Sequence, residues 1–176
     1  MVLNKDFYIE PIQSDDAFYV HQLMILNSEL FKDYFPKTLE QNSTVESSKE
    51  FAVKKEKEYK LKEEFLFTIK EKSTKEVAGL VYIKELDWNV KKGEFAYCVG
   101  NKFGGKGLMS KSIEVLSVYA FSELELEELE IIVHKTNTPS VRVAEKNGFI
   151  WQKTLPNEFT PPNKEPLDME LYILKK

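Results

Sequence analysis

Apolar and polar residues alternate in two different rhythms along this chain of 176 residues. Residues 6–12 (DFYIEPI) read as a first strand, in which Pro11 calls for an edge or bulge position because it has no N–H to give a neighbour. Ser14, Asp15 and Asp16 carry N-cap chemistry, and Ala17, Val20, Leu23, Met24 and Leu30 follow at helical spacing, with Pro36 ending the segment. Thr44 opens a second helix running to about Leu61; it is rich in Lys and Glu with few apolar anchors, which predicts a surface helix. Three strands follow, Phe65 to Lys70, Val77 to Glu85 and Gly93 to Val99. The connections between them are too short for a parallel crossover, so they are expected to pair antiparallel.

After Val99 the rhythm changes. Met109, Ile113, Leu116 and Ala120 fall at i, i+4, i+7 and i+11, the apolar stripe of an amphipathic helix. A strand (Glu130 to His134), a short helix (Pro139 to Lys146) stopped by Gly148, a strand from Phe149 and a last strand (Leu167 to Leu174) complete the pattern, with Pro161, Pro162 and Pro166 marking a loop. The acidic run Glu123 to Glu130 reads as a solvated turn, and Tyr119 and Phe121 as core residues. The fold class is α/β: one domain over residues 1–176, with a mixed, mostly antiparallel twisted sheet of about seven strands, about four flanking helices and one βαβ crossover.

Composition narrows the field. Twelve Phe, eight Tyr and a 42% hydrophobic share exclude disorder, and a single cysteine, Cys98, excludes a disulfide scaffold. No apolar run approaches the ~18 residues of a membrane span, and residues 1–9 lack the apolar core of a signal peptide, so a cytoplasmic protein is expected. With 25 basic and 29 acidic residues the net charge is −4, which does not favour a nucleic-acid binder and permits a cationic partner. His21 and His134 show no metal-ligand spacing, so no metal is expected.

Residues 101–112 (NKFGGKGLMSKS) join a strand to the strongest helix. Gly104, Gly105 and Gly107 allow a tight turn, the helix start offers unpaired N–H groups, and Lys102, Lys106 and Lys111 add positive charge: a seat for a phosphate or diphosphate. A loop that needs glycine only for its turn is the plainer alternative. Gly100 with Gly105 and Lys106 imitates a P-loop, but Gly107 stands where the magnesium-binding hydroxyl belongs, which argues against a nucleotide hydrolase.

Three blocks in order, GEFAYCVG with FGGKGLMS (93–110), HKTNTPSVRVAEKNGF (134–149) and DMELYIL (168–174), resemble the GNAT superfamily of acetyl-CoA-dependent N-acetyltransferases, and FYIEPIQSDDA (7–17) matches the family's opening. GKGLMS and NTPSVRVAEKNGF look closest to the branch of ribosomal-protein N-terminal alanine and serine acetyltransferases. The resemblance implies acetyl-CoA as cosubstrate, with its diphosphate on main-chain amides of Gly104, Gly105, Lys106, Gly107, Leu108 and Met109. It further implies its thioester beside Cys98 and Val99, its pantetheine arm near Asn137, and its 3′-phosphate near Lys106, Arg142 and Lys146. Two departures stand out. Gly104 replaces the usual Gln or Arg of the turn, and Ala144 stands where many members carry the tyrosine that protonates the departing thiolate; Ser140, three residues after Asn137, is the substitute acid.

An amine must lose its proton before it can attack a thioester, so a base is useful. Glu94 is the candidate: strand alternation groups it with Ala96 and Cys98 on one face, and it matches the glutamate of the ribosomal branch. A solvated charge at a strand start is its plainer reading, and helix capping is that of Ser140. A covalent role for Cys98 is disfavoured, since no histidine lies nearby in sequence. Phe31, Phe35, Trp88 and Phe159 are candidates for the wall of the amine site. The expected reaction is acetylation of a primary amine in a ternary complex, the acceptor being a protein N-terminus, with a polyamine or other small amine, or a non-catalytic acyl-CoA-binding role, as alternatives. No membrane partner is expected, and the chain is expected to be a monomer or homodimer.

Overall fold

A computed structural model describes residues 1–176. The strands are β1 (Phe7–Pro11), β2 (Phe65–Glu71), β3 (Val77–Asp87), β4 (Lys92–Val99), β5 (Glu128–Val133), β6 (Ile150–Phe159) and β7 (Leu167–Lys175), forming one sheet in the order β1-β2-β3-β4-β5-β7-β6. Every neighbouring pair is antiparallel except β4 and β5, the single parallel pair, which is joined through a crossover helix. Pro11 lies on β1, an edge strand, where its missing N–H costs no ladder bond on the open side.

The helices are α1 (Ala17–Leu26), α2 (Ser28–Phe31), α3 (Pro36–Gln41), α4 (Val45–Leu61), α5 (Leu108–Ser122) and α6 (Thr138–Lys146). There are six rather than about four because the segment after Asp16 is broken. Asn27 leaves helical geometry between α1 and α2, so Leu30 is exposed and Phe31 is buried instead. Pro36 does not stop that segment; it starts α3, where a first-turn proline loses no intrahelical bond. Thr44 caps α4 by accepting from the Ser47 amide at 3.0 Å.

Alternation along the strands divides the core in two. Phe65, Phe67 and Ile69 of β2, with Val81, Ile83 and Phe95, pack under α5 and α6. Leu66, Leu80, Tyr82 and Cys98 pack on the other face under α1, α2 and α4, whose Phe51 and Ala52 make that helix less superficial than its composition suggests. The acidic run is likewise no simple turn: Leu124, Leu126 and Leu129 are buried, and Glu128 to Glu130 open β5.

Candidate active site

The parallel ladder between β4 and β5 runs from Lys92↔Glu128 to Phe95↔Ile131 and then stops, although β4 continues to Val99 and β5 to Val133. The two strands therefore splay into a fork. Gly100 donates its N–H to the Ala78 carbonyl at 2.9 Å, and the register from Gly79↔Val99 to Lys84↔Glu94 is unbroken. Antiparallel alternation then turns the amides of Cys98 and Ala96 toward β3 and those of Tyr97 and Val99 into the fork. Of the two residues expected beside the thioester, Val99 thus presents its amide to the opening and Cys98 faces Leu80. Burial pushes the Cys98 thiol up to about 12, which keeps it a thiol near neutrality.

At the open end of the fork, directly after β4, the Gly-rich turn leads into α5. Gly105 and Gly107 both have φ +71, a left-handed conformation that favours glycine, and no atom lies within 4 Å of where a Cβ would stand. Gly104 is different: its φ of −61 suits any residue, and a Cβ would meet only the Asn101 carbonyl at 3.4 Å. Leu108 and Met109 point their side chains into the core, so the seat they offer is main-chain N–H at the start of a fifteen-residue helix. Asn27 pins the approach to this turn, its Oδ1 accepting from the Asn101 amide at 2.8 Å. Asn147 ties the end of α6 to the first turn of α5 through Ser110 at 3.2 Å. Lys102 is drawn away to Glu76 and Lys111 to Glu114, whereas Lys106, Arg142 and Lys146 are exposed and make no ion pair.

Across the fork, the Asn137 side chain caps α6 by accepting from the Ser140 amide at 3.3 Å. The cap is therefore Asn137 rather than Ser140. The Tyr97 hydroxyl donates to the Ser140 carbonyl at 3.3 Å and fixes the first turn of α6 against β4.

Glu94 projects on the α4 side of the sheet, largely shielded, with the Lys84 ammonium 2.7 Å from its Oε1. Burial raises its carboxyl above the ordinary range; Lys84 opposes that rise, and Glu85 and Glu130 reinforce it. One cavity of about 1080 Å³ passes through the fork and is lined by Glu94, Tyr97, Asn137 and Ser140 together. Phe35 and Phe159 wall its outer part with Tyr34, which stacks on Phe159 at 5.6 Å between ring centroids. Phe31 is a core residue and Trp88 packs on Phe65 away from the cavity. Sequence reasoning missed Lys84, Glu130 and Tyr97. The first two could have been found by continuing the alternation of β4 across to its neighbours, had the register been known.

Residues 6–150 match the acetyltransferase (GNAT) domain family. The chain belongs to this family. As a GNAT protein it is an acetyl-CoA-dependent acetyltransferase. It is 28% identical to the spermidine N(1)-acetyltransferase of Escherichia coli K12 over 161 residues, covering 86% of this chain and 76% of that protein. Its fold is similar to that of the ribosomal-protein-S5-alanine acetyltransferase of Vibrio fischeri (TM-score 0.91, 19% identity, 98% and 94% of the two chains covered). It is similar as well to the microcin C7 self-immunity acetyltransferase, solved in complex with acetyl-CoA and AMP (TM-score 0.86, 19% identity, 99% and 94% covered). These relatives span several acceptors, so the branch within the superfamily is not fixed by likeness. No helix is long and apolar enough to cross a membrane.

Proposed function

We propose that this acetyltransferase moves the acetyl group directly to a primary amine in a ternary complex, and that the acceptor is the α-amine of a protein N-terminus. The observation that carries the reading is one cavity lined by both Glu94 and Ser140; the β3–β4 register turns the Val99 amide toward the same fork. The residues fit the coenzyme: open space over Gly105 and Gly107 leaves the Leu108 and Met109 amides free to take a diphosphate, and Lys106, Arg142 and Lys146 are uncommitted cations for the 3′-phosphate. Asn137 retains its side-chain NH₂ for an amide of the pantetheine arm.

In this scheme Glu94 takes a proton from the ammonium, directly or through one water. The neutral nitrogen attacks the thioester carbonyl carbon, the C–N bond forms, and the oxyanion is met by the Val99 N–H. The C–S bond then breaks as the carbonyl re-forms, and the nitrogen's remaining excess proton passes through the Ser140 hydroxyl to the departing sulfur, so that the amide is neutral, coenzyme A leaves as the thiol and Ser140 is unchanged. Cys98 has no part as a nucleophile.

Charge pairing supports a single amine over a polycation. Of the carboxylates lining the cavity, Glu94, Glu130 and Glu64 are held by Lys84, Lys92 and Lys55. A polyamine would meet few free carboxylates, whereas an N-terminal residue can lay its side chain on Tyr34, Phe35 and Phe159. The likeness to a spermidine acetyltransferase over 86% of this chain favours a polyamine as the second reading. A thiol-release assay with acetyl-CoA across N-terminal peptides, spermidine and aminoglycosides decides between them. Peptide turnover at least tenfold above spermidine, a margin of about 1.4 kcal/mol, is expected; the reverse order transfers the acceptor to the polyamine class.

A further inference from the structure

The base of the fork carries four charged side chains, of which the scheme above uses one. Lys84 on β3 faces Glu94 on β4 in register, ammonium to carboxylate at 2.7 Å. On the other side of Glu94, Glu130 on β5 holds the opposing register position, and Lys92 lies 3.2 Å from it. All four line the cavity. In each pair the carboxylate is the shielded partner, with side-chain exposures of 14% for Glu94 and 13% for Glu130 against 30% and 36% for their lysines. A solvent-exposed pair contributes little and aligns little; a shielded carboxylate whose ammonium partner reaches in from the rim is held in place by it.

Resting on the reading of Glu94 as the base, we infer that Lys84 is the positioning residue that fixes the Glu94 carboxylate in the fork, and that Glu130, fixed by Lys92, opposes Lys84 from across it. The two neighbours act on Glu94 in opposite senses. The Lys84 cation favours the carboxylate form, and the Glu130 anion favours the protonated form. Together they let a buried acid remain ionised without becoming too weak a base for an ammonium. Glu85 on β3 adds a further negative charge to the same environment. Farther round the cavity stand Lys37, Glu158 and His134, with Lys55 and Glu64 paired to each other.

The test is the acid limb of the pH profile of kcat/KM for the amine, read in three variants with melting temperatures checked first. Lys84→Met is expected to move the limb to higher pH, with a loss about tenfold greater on the limb than on the plateau, the low end for one close opposite charge. Glu130→Gln is expected to move it to lower pH. Lys84→Arg, which keeps the charge, is expected to restore the limb. A purely structural role would scale the rate equally at every pH, and that result, or shifts of the same sign in both variants, overturns the inference. If Lys84→Met does not fold, the direction of the Glu130→Gln shift and the behaviour of Lys84→Arg carry the decision. Glu94→Gln run alongside separates two failures. A limb that survives in Glu94→Gln removes the base itself. A limb that vanishes there, but stays in place in Lys84→Met and Glu130→Gln, removes only the inference about positioning.

Discussion

Adding one methyl group at Gly79 should damage the floor of the fork. A Cβ there would stand 2.5 Å from the Cys98 carbonyl oxygen and 3.3 Å from the Val99 Cα, both main-chain atoms of the neighbouring strand. Ordinary contact begins near 3.4 Å, so β3 and β4 would have to part by most of an ångström. That is more than the 2.9 Å bond from Gly100 to Ala78, one residue along, can absorb. Overpacking of this kind costs about 1–3 kcal/mol and a lost ladder bond about 1 kcal/mol. The alanine returns about 0.4–1 kcal/mol by restricting the unfolded chain. Gly79→Ala is therefore expected to destabilise by about 2 kcal/mol, and to weaken coenzyme A binding because Cys98 and Val99 shift with the strand. Gly93→Ala is the internal control. Its Cβ would have as nearest neighbours side-chain atoms of Leu126, Ile83 and Leu86 at 3.1–3.2 Å rather than main chain, and its cost should lie near the low end of overpacking, about 1 kcal/mol. Urea unfolding of both variants, with the melting shift caused by coenzyme A, measures the two effects. A Gly79→Ala protein no less stable than Gly93→Ala would refute the close-approach argument.

Ser140→Ala should lower kcat by about tenfold or more with coenzyme affinity unchanged, the mark of an interaction made as sulfur departs; an unchanged kcat leaves Ser140 without a catalytic role. Replacing Arg142 and Lys146 together by alanine should raise the Kd for coenzyme A severalfold and leave that for 3′-dephospho-coenzyme A in place; equal losses for both ligands would place these cations elsewhere. Asp16→Asn should destabilise by about 1.5–3 kcal/mol, because it removes one of the two carboxylates on the buried Lys70 and leaves Glu10, at 2.7 Å, as its only anionic partner. Burial by itself lowers the Lys70 ammonium, but the Asp16 and Glu10 carboxylates outweigh it and raise it above its ordinary value, so their contribution should be full below about pH 10.4 and fade as pH climbs through the raised value. Urea midpoints of wild type and Asp16→Asn should converge there.

The sequence made some parts of the molecule legible for clear physical reasons. Short apolar runs separated by a polar turn marked β2 and β3, alternation marked β4, and an unbroken apolar stripe marked α5. The one crossover helix then required the one parallel pair, and with it a place where two strands can splay. Other parts depend on distant partners. Leu30 has the right spacing for a buried face, yet Asn27 turns α2 away and leaves it in solvent. Pro36 is compatible with stopping or starting a helix, and only the packing of α3 selects the start. Glu123 to Glu130 look solvated by composition, but its leucines fill the core beneath β5. At the site, strand alternation singled out Glu94, whereas Ser140 and Val99 were named only through the resemblance to the family. The ammonium of Lys84 beside Glu94 is a consequence of register across β3 and β4, which a single strand does not display.

The central claim is that Glu94 deprotonates the amine before it attacks. Its most direct measurement is the pH dependence of kcat/KM for the amine in wild type and Glu94→Gln, at saturating acetyl-CoA. Because burial raises the Glu94 carboxyl, the wild-type acid limb should lie above the ordinary glutamate range, and it should be absent in Glu94→Gln with the rate depressed most near neutrality. A Glu94→Gln profile that superimposes on wild type would contradict the account.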